Sequence, residues 1–260
     1  MGLKSPVLRP MRKQVPGATA SLLVLGATSE IAVATVKEFI ARYPQTTWQI
    51  HLLGRNDAAL AQLAAEFAAT WGHYDTSMTP EEQQSCLPLW DEIDYCLCAV
   101  GYLGPQFSAE HDPQEAALIT TANYSGLLPI LDAVALRMET AGNGSLLVIS
   151  SVAGERGRRS NYYYGAAKAA LTAYLSGLRL RLLPRGVHVM TIKPGYVLTR
   201  MVAGRQLPPY ISARPETIAR DIVRATARRQ PVLYTMWAWR YIMAFTRLIP
   251  ERIFMHLRRF

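Results

Sequence analysis

The sequence has few cysteines, no long apolar run and too few acids to balance its bases. Three cysteines in 260 residues, Cys86, Cys96 and Cys98, exclude a disulfide-stapled scaffold and suit a reducing compartment. No His/Cys spacing resembles a metal site, so no metal is expected. No apolar stretch reaches the roughly 18 residues of a transmembrane helix. The longest candidate, Trp237 to Ile249, is broken by Arg240 and Arg247. Met1–Pro16 has bases but no apolar core, which excludes a secretory signal, and Pro6 stands where a myristoylation signal needs Ser or Thr.

The bases exceed the acids by 28 to 19, a formal charge of +9. That excess lies at the two ends. Lys4, Arg9, Arg12 and Lys13 face no acid within residues 1–20, and residues 200–260 hold 12 arginines against Glu216, Asp221 and Glu251. Residues 21–199 are slightly acidic. Without a recognition helix or an aromatic-studded sheet, nucleic acid is not expected as a partner. An anionic membrane surface or a phosphate-bearing ligand suits the charge better.

Short apolar runs alternate with longer helical patterns. Strands are expected at Ser21–Leu25, Trp48–Leu53, Tyr95–Val100, Ser145–Ser150, Val187–Ile192 and Val232–Tyr234. Helices are expected at Ile31–Tyr43, Asp57–Trp71, Glu115–Ala141 (kinked or split by Pro129), Tyr162–Leu183 and Pro215–Arg229. Residues 199–214 read as a loop. This alternation implies a doubly wound, Rossmann-like parallel sheet with helices on both faces, built as a single α/β domain. The expected division is a flexible basic arm over 1–19, a nucleotide-binding domain over 20–235 and an amphipathic C-terminal helical segment over 236–260.

The first strand runs into Gly26-Ala27-Thr28-Ser29-Glu30-Ile31. In a doubly wound sheet this turn faces the ligand crevice, and the following helix start offers N–H groups to a pyrophosphate. Gly26, Thr28, Ser29 and Ile31 are therefore candidate cofactor contacts, although only one of the three glycines of the usual turn is present. After the second strand no acid stands ready for the ribose hydroxyls of NAD. Arg55 suits the 2′-phosphate of NADP, so NADP(H) is favoured over NAD(H); the alternative is a solvated loop arginine. Asp75 is a candidate adenine contact. Ser151, Tyr164 and Lys168 form a catalytic candidate set. Tyr164 and Lys168, four apart, share one helix face. An ammonium beside the phenol is expected to lower its pKa and make it a usable proton donor.

With these residues the chain resembles the short-chain dehydrogenases/reductases over about Ser21 to Tyr234. The family's serine, followed thirteen residues later by Tyr-x-x-x-Lys, is matched by Ser151, Tyr164 and Lys168. Its helix asparagine is matched by Asn123, and its Pro-Gly segment by Pro194-Gly195-Tyr196-Val197-Leu198-Thr199. The resemblance implies that Asn123 holds a water in a proton relay from the lysine. It also implies that Tyr164 and Lys168 contact the cofactor, and that Pro194, Gly195, Val197 and Thr199 line the nicotinamide. Gly101 is what survives of the family's segment after the fourth strand. Glu30 and Ala32 replace glycines, and an inward Glu30 would oppose a pyrophosphate. The family's tendency to pair through the helices bearing Asn123 and Tyr164 implies a homo-oligomer.

Three stretches, Gly26–Ile31, Ser150–Arg159 and Arg240–Phe254, are similar to the decaprenylphosphoryl-2-keto-erythro-pentose reductase group. That resemblance implies a keto-sugar on a polyprenyl phosphate as substrate, reduced during cell-wall biosynthesis. Arg156, Arg158 and Arg159 then become candidate phosphate contacts, against the alternative of an ion-paired loop. A soluble or acyl-carrier-linked ketone is the rival substrate, and a non-enzymatic nucleotide-binding sensor the rival class. In the C-terminal segment, Arg252, His256 and Arg259 fall on one side, and Ile253, Phe254 and Leu257 on the other. Such a basic, aromatic helix lies in a membrane interface or packs on protein. The expected location is the cytoplasm, peripherally on the inner face of the membrane.

Overall fold

Short strands, seven of them in the main sheet, alternate with helices along the chain in the computed structural model, which describes residues 18–202, 204 and 208–257. Most of the expected basic arm and Arg259 lie outside the described residues. The order is β1 (Thr19–Leu25), α1 (Glu30–Arg42), β2 (Thr47–Gly54), α2 (Asp57–Phe67), β3 (Thr70–His73), α3 (Pro80–Ser85), β4 (Tyr95–Cys98), α4 (Gln106–His111), α5 (Pro113–Asn123), α6 (Leu128–Ala141) and β5 (Ser145–Ile149). The 3-10 turn Val152–Glu155 leads to α7 (Tyr162–Leu182), β6 (His188–Lys193), β7 (Tyr196–Val197), β8 (Ser212–Ala213), α8 (Pro215–Ala227), β9 (Val232–Tyr234), α9 (Ala238–Leu248) and α10 (Glu251–Phe254).

The main sheet has the order β3-β2-β1-β4-β5-β6-β9, and every pair in it is parallel. Alternate side chains of β1 feed two cores. Leu22 and Val24 pack with Ala32, Val36 and Phe39 of α1 and Ile218 and Ile222 of α8, whereas Leu23 and Leu25 pack with Ile130, Leu131 and Val134 of α6 and Leu171 and Leu175 of α7. Both faces are thus covered by helices, as parallel sheets require. The strand order reverses between β1 and β4, and that reversal opens a crevice at the carboxyl ends of the strands.

Two element boundaries differ from the sequence reading for a local reason. The helix expected over Asp57–Trp71 stops at Phe67, because Ala68 adopts a left-handed conformation, φ 50°. Thr70–His73 then pairs with His51–Gly54 as an edge strand. The region expected as one helix over Glu115–Ala141 divides at Tyr124, and Pro129 sits in the first turn of α6, where its missing N–H costs nothing. The short helices α3 and α4 escaped the sequence reading. Among the described residues, no helix is long and apolar enough to cross a membrane.

Candidate active site

The crevice at the strand reversal is a cleft of about 530 Å³. Gly26, Thr28, Ser29, Ile31, Arg55, Asp75, Gly101, Ser151, Tyr164, Lys168, Pro194, Gly195, Val197 and Thr199 all line it. These residues come from seven separate stretches of chain, and the sheet brings them to one edge. Gly26 has φ +73°, and a Cβ there would lie 2.9 Å from the Ala99 carbonyl carbon and the Val100 nitrogen. Only glycine lets the turn pass this close to the end of β4. Ser29, at the start of α1, makes no side-chain cap bond, so the first turn's N–H groups are left for an anion. The cleft can take a dinucleotide, and Gly26–Ser29, Arg55 with Asp75, and Pro194–Val197 are the lining residues that would hold its pyrophosphate, adenosine and nicotinamide.

Glu30 does not oppose that fit freely. Its carboxylate accepts from the Arg200 backbone N–H at 3.1 and 3.2 Å, and the Arg200 guanidinium reaches it at 3.5 Å and donates to the Thr28 carbonyl at 3.0 Å. The charge that the sequence left unbalanced is thereby neutralised from across the cleft mouth. Arg55 is exposed and lies 3.7 Å from Asp75, whose carboxylate also accepts two bonds from Ser77.

Ser151 begins the 3-10 turn after β5. Its Oγ accepts from the Ala153 N–H at 3.1 Å and its hydroxyl hydrogen-bonds Tyr164. Lys168 is buried, donates to the carbonyls of Ile149 and Val100 at 3.1 and 3.4 Å, and has its Nζ 5.8 Å from the centre of the Tyr164 ring. Burial raises the Tyr164 pKa to about 12, partly offset by the bond from Ser151, and pushes Lys168 down to about 8. The expected lowering of the tyrosine pKa is therefore corrected: burial dominates, and the Ser151 hydroxyl is the group that acts against it. The phenol stays protonated at ordinary pH, the form a proton donor needs.

Asn123 is fully buried and does not line the cleft. Its amide donates to the carbonyls of Tyr102 and Ile119 at 2.6 and 2.8 Å and its oxygen accepts from the Tyr102 N–H at 3.2 Å. These bonds hold the Gly101–Tyr102 loop beside Lys168.

The three candidate phosphate arginines separate. Arg156 is committed elsewhere: it donates to the carbonyl of Ile249 at 2.9 Å, pairs with Glu251 at 2.7 Å and lies 4.2 Å above the Phe254 ring. It ties down the end of α9 and holds α10. This also corrects the expected helix face, because Phe254 turns inward under Arg156 whereas Ile253 remains exposed. Arg159 is exposed and outside the cleft. Arg158 alone lines it.

Trp239 of α9 is a wall of the cleft that the sequence did not reveal. A Cβ on Gly195 would fall 1.9 Å from its ring, its indole donates to the Ile211 carbonyl at 3.1 Å, and it meets Tyr196 edge-on at 5.5 Å. Beneath α9, the buried Glu155 carboxylate binds Lys193, the Tyr234 hydroxyl at 3.0 Å and Arg247 at 3.2 Å. Its only sequence signal was an acid among arginines. The inner face of α9, Trp239, Met243 and Thr246, is thus packed on the chain, while Trp237, Tyr241, Phe245 and Leu248 form an exposed stripe.

Sheet order, crevice and cleft together define a nucleotide-binding protein of the doubly wound class. The chain belongs to the short chain dehydrogenase family, which it matches over residues 20–208. It is 32% identical over 248 residues to an uncharacterized oxidoreductase of Mycobacterium tuberculosis, covering 95% of this chain and 94% of that protein. A second uncharacterized oxidoreductase, from Streptomyces coelicolor, is 32% identical over 254 residues, with 95% and 99% covered. Among solved structures, a short chain dehydrogenase of Burkholderia cenocepacia in complex with NADP superposes with a TM-score of 0.77 at 18% identity, covering 94% of this chain and 98% of that one. One from Sphingobium yanoikuyae in complex with NADPH gives 0.74 at 22% identity, with 92% and 97% covered. The chain is accordingly an NAD(P)-dependent oxidoreductase.

Proposed function

We propose that the protein reduces a ketone to a secondary alcohol with NADPH, through Ser151, Tyr164 and Lys168. The observation that carries this reading is their position: all three line one cleft with the Gly26 turn and the Pro194–Thr199 segment. Ser151 holds the carbonyl oxygen. Tyr164 donates its phenolic proton to that oxygen as negative charge develops on it. Lys168 lends positive charge nearby and would hold the ribose of the bound cofactor. Asn123 fixes the loop beside Lys168, and the relay water implied by the family would sit there. A bound reduced nicotinamide supplies the hydride. Arg55 selects the 2′-phosphate of NADP, and the NADP and NADPH complexes of the two structural neighbours accord with that preference.

The finer reading is a keto-sugar carried on a polyprenyl phosphate, taken up at the cytoplasmic face of an anionic membrane. The three stretches similar to the decaprenylphosphoryl-keto-pentose reductases support it. So does α9, whose inner face walls the cleft while its outer stripe of Trp237, Tyr241, Phe245 and Leu248 stands exposed beside Arg240. The rival is a soluble ketone, and the snug packing of Trp239 and Met243 favours it, since that face of the tail needs no membrane. Division into arm, domain and tail, and a homodimer through α5 and α7, belong to the same proposal.

The test is NADPH oxidation with extracted polyprenyl-phosphate keto-pentose, repeated with NADH. Turnover with at least tenfold preference for NADPH, abolished by Arg55→Ala, is expected. Turnover with soluble ketones alone would overturn the lipid-linked substrate, and equal use of both cofactors would overturn the role of Arg55.

A further inference from the structure

Two buried polar atoms without a partner belong to cleft residues, Arg158 Nε and Asn161 Oδ1. Three other partly buried arginines donate to oxygen, although Arg229 Nε also lacks a partner. Arg156 has Glu251 and the end of α9, Arg179 donates to the Val189 carbonyl at 2.9 Å and the Thr191 hydroxyl at 2.7 Å, and Arg229 to the Gly186 carbonyl at 2.6 Å. Arg158 hydrogen-bonds the Met243 sulfur, 3.4 Å from Nη2, has the Tyr196 phenol as an electrostatic neighbour, and has no carboxylate partner among the described residues. A thioether is a weak acceptor, and a desolvated guanidinium without a counter-charge is costly unless something anionic completes it.

Asn161 stands at the cap position of α7, one turn before Tyr164, yet its side chain makes no cap bond. Asparagine is favoured at that position because its oxygen accepts from the first turn. Here the oxygen is buried in the cleft wall with its lone pairs free, in position to accept from a hydroxyl.

We infer that Arg158 and Asn161 form a polar substrate subsite: Asn161 Oδ1 accepts from a hydroxyl near the ketone, and the Arg158 guanidinium binds a phosphate ester further along the same molecule. This rests on the reading of the cleft as a carbonyl reductase and names the class of ketone it takes. The phosphate can belong to a free sugar phosphate or to a lipid-linked one, since a guanidinium recognises both by the same paired hydrogen bonds.

The test is calorimetric titration of the NADP⁺-loaded protein with two pairs of probes, glycerol against glycerol 3-phosphate and farnesol against farnesyl phosphate. In at least one pair the phosphate ester is expected to bind tenfold or more tightly than its parent alcohol. Arg158→Met is expected to erase that advantage while leaving NADP⁺ affinity unchanged, with Arg158→Gln as the second variant should the first bind NADP⁺ poorly. An advantage confined to glycerol 3-phosphate supports the subsite and marks a free sugar phosphate; one confined to farnesyl phosphate supports it and marks a lipid. No phosphate advantage in either pair, or one that survives in both variants, overturns the anion site. For the hydroxyl, the wild type is expected to prefer glycerol 3-phosphate to propyl phosphate, and Asn161→Leu to lose the preference. Equal binding by the wild type, or a preference that persists in the variant, overturns that half. These readouts need no turnover, so a failure to oxidise NADPH with any ketone would count against the reductase reading alone.

Discussion

At the scale of single residues, burial sets the chemistry more than neighbouring charge does. Tyr164 and Lys168 are both pushed towards their neutral forms by desolvation. His188 shows the same physics in the fold. It is buried, hydrogen-bonds the Gln230 carbonyl through Nε2 at 2.9 Å, and leaves Nδ1 without a partner. Protonation would place a second N–H in a site with no acceptor, beside Arg229 and Arg179, and burial lowers the pKa from 6.5 to about 4. The unfolded chain therefore binds the proton first as pH falls. Stability should be lost as pH falls from about 6.5 to about 4, by about 3 kcal/mol in total. Urea unfolding across that range should show this loss in the wild type, and His188→Gln should flatten it; an unchanged pH slope would refute the assignment. Which residues were legible in the sequence follows from distance along the chain. Ser151, Tyr164 and Lys168 lie within 18 residues, and helix geometry places the last two. Arg156 could not be read correctly, because Ile249 and Glu251, which claim it, lie more than 90 residues away.

At the scale of elements, α9 decides the shape of the substrate end. Gly195 and Trp239 fit only each other, since a methyl group on Gly195 would overlap the indole. Gly195→Ala is expected to cost about 1–3 kcal/mol by overpacking, or about 2–4 °C in Tm for each kcal/mol in a chain of this length. In a Trp239→Ala background the same substitution should cost almost nothing. Equal losses in the two backgrounds, by thermal unfolding, would show that the indole is not what excludes the methyl. Element types were largely legible from the alternation of strands and helices. The edge strand β3 was not, because its four residues continue an alanine-rich helical pattern and only the reversal at Ala68 ends it. The tail's inward packing was hidden as well, because a helix apolar on both sides does not say which side meets protein.

At the scale of the whole molecule, the charge excess separates from the catalytic stretch. Residues 21–199 are slightly acidic, while the arginines gather towards the C-terminus. There the exposed stripe of α9 lies beside Arg240. Sedimentation with vesicles of anionic lipid should carry the protein into the pellet. Phe245→Ser combined with Leu248→Ser should release it without loss of NADPH affinity, and high salt should weaken it, since each base near the surface contributes roughly 1 kcal/mol. A wild type that stays in the supernatant would sink the membrane reading and leave the soluble ketone. The doubly wound parallel sheet and the Gly26 turn at its crevice followed from sequence pattern, because parallel sheets permit few alternatives; the strand order came from the structure.

The proposed reduction turns on Tyr164 as the proton donor. Replacing it with phenylalanine removes one oxygen and keeps the ring that packs near Lys168. NADPH oxidation by Tyr164→Phe, measured with any ketone the wild type reduces and with NADPH affinity checked separately, should fall by about 10² to 10⁴-fold. Binding of the cofactor should stay within a few-fold. Turnover that survives within a few-fold of the wild type would contradict the mechanism.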